Sequence, residues 1–110
     1  MKLVPLSRGA VAFVDPVDYD FAMAWRWFIT VDRERFGYAC RHGGGGLIWL
    51  HKEVLRRAEG PPPTPRHVIG DHRNGFRLDC RRKNLRWATP SMNARNLHGF
   101  AARQLELFPL

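Results

Sequence analysis

Cysteine is scarce in this chain of 110 residues: Cys40 and Cys80 stand 40 positions apart. No CxxC pair exists, which argues against a structural zinc site. The spacing does not suggest a disulfide, and two reduced thiols suit a cytoplasmic protein. Long apolar runs are also missing, so no segment reads as a membrane span. The opening MKLVPLSRGA lacks the apolar core of a signal peptide, and a soluble protein of the cytoplasm is the expectation. Acids are few: 10 Asp and Glu against 18 Lys and Arg give a net charge of +8 and a pI near 10.7. That balance points to a polyanionic partner, nucleic acid first and a membrane surface second. Lysine is rare too, with 15 of the 18 cations being arginine. Arginine suits bidentate phosphate contact, although a GC-rich genome produces the same bias. Aromatics are plentiful: 13 of them, within 45% hydrophobic content, exclude disorder throughout and supply one small core.

The pattern predicts an α+β fold. Residues 3–14 read as two short strands around a Ser7-Arg8-Gly9 turn. Asp15-Pro16 starts a short helix, with Asp15 as N-cap and Pro16 at its first position. Asp18 and Asp20 then lie in the first turns, where the helix dipole favours acids; a metal-binding carboxylate pair is the alternative. WRWFITV at 25–31 alternates, placing Trp25, Trp27, Ile29 and Val31 on one buried face. YACR and LIWL complete a three-stranded antiparallel meander across a glycine-rich turn. Trp25, Trp27 and Trp49 read first as core and second as stacking platforms for bases. HKEVLRRA forms a helix with Val54, Leu55 and Ala58 as its apolar stripe. His51 has two readings, a residue at the helix start or core edge and a group beside the functional site. Residues 1–60 thus make a scaffold that is also expected to contact the nucleic acid, and the proline-rich 61–66 a stiff connector.

Residues 67–99 carry the chemistry. GDHRNGFRLDCRRKNLRWATPSMNARN, from Gly70 to Asn96, holds an acid, a base and two amides in a cationic setting: Asp71, His72, Asn84 and Asn93. Val68 and Ile69 lead a strand into Asp71-His72, and Asn74-Gly75 signals a turn. Asn84 to Ala88 returns as a strand. Thr89-Pro90 starts a helix, as N-cap and first helical residue. The order is strand, long loop, strand, helix.

This stretch resembles the ββα-metal motif of HNH endonucleases of the small phage and intron-encoded, homing type. Those carry DHxNGxxLDNRRxNLR followed by a helix with NxxN. The segments PLSRGAVAFVD, DYDFAMAWRW, GYACR and LHKEVL also resemble what precedes the motif there, so the likeness covers about residues 4–96. It implies His72 as the general base, Asp71 and Asn93 as metal ligands, and Asn84 as the residue fixing loop geometry and orienting the base. Two protein oxygens suit Mg²⁺ or Mn²⁺, which keep several waters. Asp79 matches a loop-bracing position, and Asn96 is an alternative ligand to Asn93. Two departures stand out: Cys80 where the family often has Asn, and Gly70 where an apolar residue is commoner. Arg73, Arg77, Arg81, Arg82, Arg86 and Arg95 are candidate DNA contacts.

Residues 100–110 form a tail. Gln104-Leu105-Glu106-Leu107-Phe108 resembles the peptide by which bacterial proteins dock on the replicase sliding clamp, with Gln104, Leu105, Leu107 and Phe108 as its contacts. The bland alternative is a frayed end packed on the body. The expected function is metal-dependent nicking of DNA by a monomer or weak dimer in a bacterial or phage-infected cell. The competing reading is a sequence-specific DNA-binding protein without catalysis.

Overall fold

The computed structural model describes residues 1–32 and 35–95. The predicted tail peptide at Gln104–Phe108, Asn96 and the end of the last helix lie outside them. Among the described residues, three antiparallel sheets, three α-helices and two 3-10 turns follow one another as an α+β fold. Strands β1 (Lys2–Pro5) and β2 (Val11–Val14) form a hairpin, with Lys2 opposite Val14. Alternation buries Val4, Ala12 and Val14 on its inner face. Helix α1 (Pro16–Met23) follows, with Pro16 at its start as expected; its Asp15 cap makes no side-chain bond to the helix and bonds elsewhere.

Strands β3 (Phe28–Asp32), β4 (Arg35–Gly43) and β5 (Gly46–Trp49) form the meander. The alternation of 25–31 holds only in its middle. Trp27 and Ile29 are buried, whereas Trp25 and Val31 are 48% and 45% exposed. Trp25 precedes the strand, in the turn leaving α1, where its N–H bonds the Ala22 carbonyl. The β3–β4 register shifts between Ile29 and Val31, and this turns Val31 off the buried face. Trp25 instead carries the Arg41 guanidinium, whose carbon lies 3.8 Å from the ring centroid.

Helix α2 (Leu50–Glu59) buries Leu50, His51, Val54 and Leu55. Ala58, expected on that stripe, is exposed. After the proline-rich connector, β6 (Ile69–His72) pairs with β7 (Leu85–Ala88), with Asp71 opposite Arg86 and His72 opposite Leu85. Residues 90–95 begin α3 directly after β7. Thr89 caps it, its hydroxyl accepting from the Met92 N–H at 3.2 Å.

One buried cluster joins these parts: Val14 and Ala22 meet Leu50 and Leu55, Cys80, Leu85 and Trp87. Cys80 is a core residue, and burial pushes its thiol well up, with the Asp79 charge adding to the shift. No described helix is long and apolar enough to cross a membrane.

Candidate active site

The long loop between β6 and β7 is built around two side chains. Asn84, buried at the end of the 3-10 turn Arg82–Asn84 just before β7, accepts the Asn74 N–H at 3.0 Å and donates to the Asp79 carbonyl at 2.8 Å. Its carbonyl takes the Arg73 N–H at 2.7 Å. A single amide thus satisfies backbone groups at both ends of the loop, which a residue with donor and acceptor on one planar group can do. Asp79 is the second. It accepts from Asn74 Nδ2 at 3.0 Å and from Arg81 Nε and a terminal guanidinium nitrogen at 2.8 and 2.7 Å. Asn74 Oδ1 holds the Phe76 N–H at 2.8 Å, and Gly75 takes φ +75°, a conformation that side chains disfavour. Asp79 is therefore a brace, and Asn84 sets the loop geometry.

The N-terminal half holds this loop from outside. Phe13 in β2 accepts the Cys80 N–H and donates to the Leu78 carbonyl, both at 2.8 Å, and its ring stacks on Phe76 at 5.9 Å. Asp15 accepts the Arg82 N–H at 2.9 Å. Asp18, fully buried, receives Arg82 on both oxygens, at 2.9 and 2.8 Å, and Arg57 at 3.1 Å. Desolvation pushes its carboxyl up, yet the hydrogen bonds and charges of Arg82 and Arg57 outweigh that and leave it below the usual range. The acids at the start of α1 thus anchor the loop to the scaffold.

These pairs revise the list of DNA-contacting arginines. Arg81, Arg82 and Arg86 are committed to Asp79, Asp18 and Asp71. A buried carboxylate left without its guanidinium costs several kcal/mol, about 3–5, so these three serve the fold first. Arg77 lies over the Tyr38 ring at 5.0 Å, Arg73 is exposed, and exposed Arg95 bonds the Ser91 hydroxyl at 3.0 Å.

Asp71 and His72 are both buried on β6. Alternation sends them to opposite faces. Asp71 faces Arg86, whose Nε donates to Oδ2 at 2.8 Å. His72 faces an aromatic cluster, 4.7 Å from His51 and 5.9 Å from Tyr38 between ring centroids. Tyr38 in turn lies 5.3 Å from His51 and 5.7 Å from Trp49. Burial pulls the His72 imidazole down to about 4; Asp71 and Asp79 oppose that, and Arg77 reinforces it. His51 is also lowered well below its usual range, by burial, His72 and Lys52. Both rings are therefore neutral near neutral pH, the form that accepts a proton.

The two readings of His51 meet here: it is a buried residue of the first turn of α2, and its ring packs on the candidate base. Gly70 gains a reason as well. A Cβ there would stand 2.5 Å from His51 Cδ2 and 3.0 Å from its Nε2. Glycine is present because the histidine ring fills the space that an apolar side chain would need. Tyr38 was not foreseen. It sits in the middle of β4, with nothing in the sequence to mark it.

Asn93, half-buried, lies in the first turn of α3, its N–H on the Thr89 carbonyl at 3.0 Å. That helix leaves β7 at Ala88, which pairs with Ile69 two residues before Asp71. Asp71 and Asn93 offer a carboxylate and an amide oxygen, hard donors that fit a hard divalent cation. No family model, curated protein or solved structure matches this chain.

Proposed function

We propose that this chain is an endonuclease of the HNH type, hydrolysing DNA phosphodiesters with a divalent metal and acting as a nickase. The observation that carries the reading is the join of Asp71-His72 to a loop clamped by Asn84 and to a capped helix bearing Asn93, on a chain of charge +8. Asp71 and Asn93 would hold the metal, Mg²⁺ or Mn²⁺. When bound, it supplies charge neutralisation at the phosphoryl group and the leaving 3′-oxygen.

The chain's own residues supply the rest. His72 takes a proton from the attacking water as the water oxygen bonds to phosphorus; the bond to O3′ breaks, and O3′ takes a proton from a solvent water, leaving 5′-phosphate and 3′-hydroxyl ends. A ring held near 4 is a weak base in isolation. A phosphodiester anion brought against it raises its proton affinity toward the working range. Asn84 keeps the loop closed behind it, and Arg86 fixes the Asp71 carboxylate. Arg73, Arg77 and Arg95 are assigned to the phosphate backbone.

A supercoiled-plasmid assay tests the reading. Wild type with Mg²⁺ should give open circles, EDTA should stop the reaction, and His72→Ala should slow it by about 10²–10⁴-fold, the usual worth of a general base. Binding without metal-dependent nicking in either protein would replace the nuclease with the non-catalytic DNA-binding module. The tail's likeness to a clamp-binding peptide supports recruitment to replicating DNA. Truncation after Arg103 should then abolish binding to a bacterial sliding clamp and leave nicking of naked plasmid intact.

A further inference from the structure

Beside the candidate base lies an open pocket of about 180 Å³, lined by Tyr38, Trp49, His51, Lys52, Ile69 and Gly70. We infer that it receives one unstacked DNA base, from the nucleotide next to the phosphate at His72. The inference rests on the proposed DNA-cutting role of Asp71 and His72, which supplies the polynucleotide.

Four features fit a base and its phosphate. The Trp49 and Tyr38 rings meet edge to face, 5.7 Å apart, in the pocket wall, and a heterocycle stacks on such surfaces whatever its sequence. Ile69 adds an apolar wall. Lys52 contributes a cation where the adjoining phosphate would run, and Arg77 lies on the Tyr38 ring beside it. His51 and Tyr38 belong both to this wall and to the ring cluster on His72, so one layer of rings separates the pocket from the candidate base. The absence of a side chain at Gly70 lets His51 occupy this shared position. Neither Trp25, under the Arg41 guanidinium, nor buried Trp27 is placed to do the same.

Fluorescence anisotropy in EDTA, with the full chain, tests the pocket apart from catalysis. The probes are labelled dT12 and a 12-mer of abasic deoxyribose phosphates, which carry the same backbone charge. Wild type should prefer dT12 by about tenfold, the lower part of what one stacked base is worth. Trp49→Leu should lose most of that preference and keep its affinity for the abasic strand; Trp49→Phe and Trp25→Leu should retain it. Equal wild-type affinity for both strands overturns the proposal, as does a preference unchanged in Trp49→Leu. If Trp49→Leu proves unfolded by circular dichroism, the same preference is read in Ile69→Lys, which puts a charge in the pocket wall, and there too its retention overturns the proposal. Plasmid nicking with no base preference rejects the pocket and leaves the nuclease standing; base preference without nicking does the reverse.

Discussion

Acidification in EDTA should destabilise this protein well before its carboxylates protonate. His72 is held at about 4 in the fold against 6.5 in a solvated chain, chiefly by burial. Above pH 6.5 the ring is neutral in both states and folding is unaffected by it. Between 6.5 and 4 the unfolded chain binds a proton that the folded chain refuses, so stability falls as pH falls. Below 4 both states carry the proton and this loss stops growing. A shift of 2.5 units corresponds to about 3 kcal/mol at the low end of that window. His51 is displaced in the same direction and adds to the slope. Each refused proton contributes at most about 1.4 kcal/mol per pH unit. A domain of this size has roughly 5–15 kcal/mol in total, and at its melting entropy about 3 kcal/mol is roughly 10–15 °C in Tm.

The assay is urea unfolding at half-unit steps from pH 7.5 to 4.5, followed by tryptophan fluorescence. Wild type should lose stability steeply below pH 6.5. His72→Gln should lower the slope by about half, since a glutamine has no proton to refuse. Asp18 and Asp79, lowered from 3.8, lose their contributions only below the usual carboxylate range and so fall in a separate window. A flat profile from 6.5 to 4.5, or a slope unaltered in His72→Gln, would refute the burial of neutral histidines.

Other perturbations separate the roles assigned to individual residues. Asp18→Asn should cost about 2–4 kcal/mol, below the full price of a dry ion pair because Arg57 and Arg82 are about a third exposed, read as a lowered urea midpoint. Gly70→Ala should cost about 1–3 kcal/mol by forcing its methyl into His51, and His51→Ala in the same chain should recover part of that; strict additivity in the double-mutant cycle would disprove the contact. Thr89→Ala should cost about 1 kcal/mol by removing the cap of α3, visible as a fall of several degrees in Tm. On DNA, Arg77→Ala should lower the salt slope of binding by about one, whereas Arg82→Ala should cost stability and leave that slope nearly unchanged.

The sheet, the helix starts and the loop were readable because each rests on a local cause. Thr89-Pro90 caps a helix whatever surrounds it, and Asn74-Gly75 turns because of its own backbone preferences. What was hidden depends on packing between distant segments. Whether Arg82 meets phosphate or Asp18 is decided across 64 positions of sequence, and no spacing records it. Trp25 and Val31 followed the alternating pattern on paper, but the turn after α1 and a register shift between Ile29 and Val31 set their exposure. Gly70 stood out only as a departure from an apolar residue, and its cause is His51, packed against it from another segment.

The scarcity of acids takes on a different meaning in the fold. Asp15, Asp18, Asp71 and Asp79 each accept from an arginine in or beside the loop, through its side chain or, at Asp15, its backbone. Three of the five arginines between 73 and 86 therefore shape the site before they can attract a ligand. Had all five pointed outward, mutual repulsion would open the loop that Asn84 must close. Placing carboxylates on α1 and in the loop itself turns that repulsion into a clamp. The scaffold that supplies Asp15 and Asp18 also supplies Tyr38, Trp49 and His51 around His72. The segment carrying Asp71 and His72 thus depends on the N-terminal half for its loop geometry and for the walls around the His72 ring, so the two halves should not be separable without loss of the site.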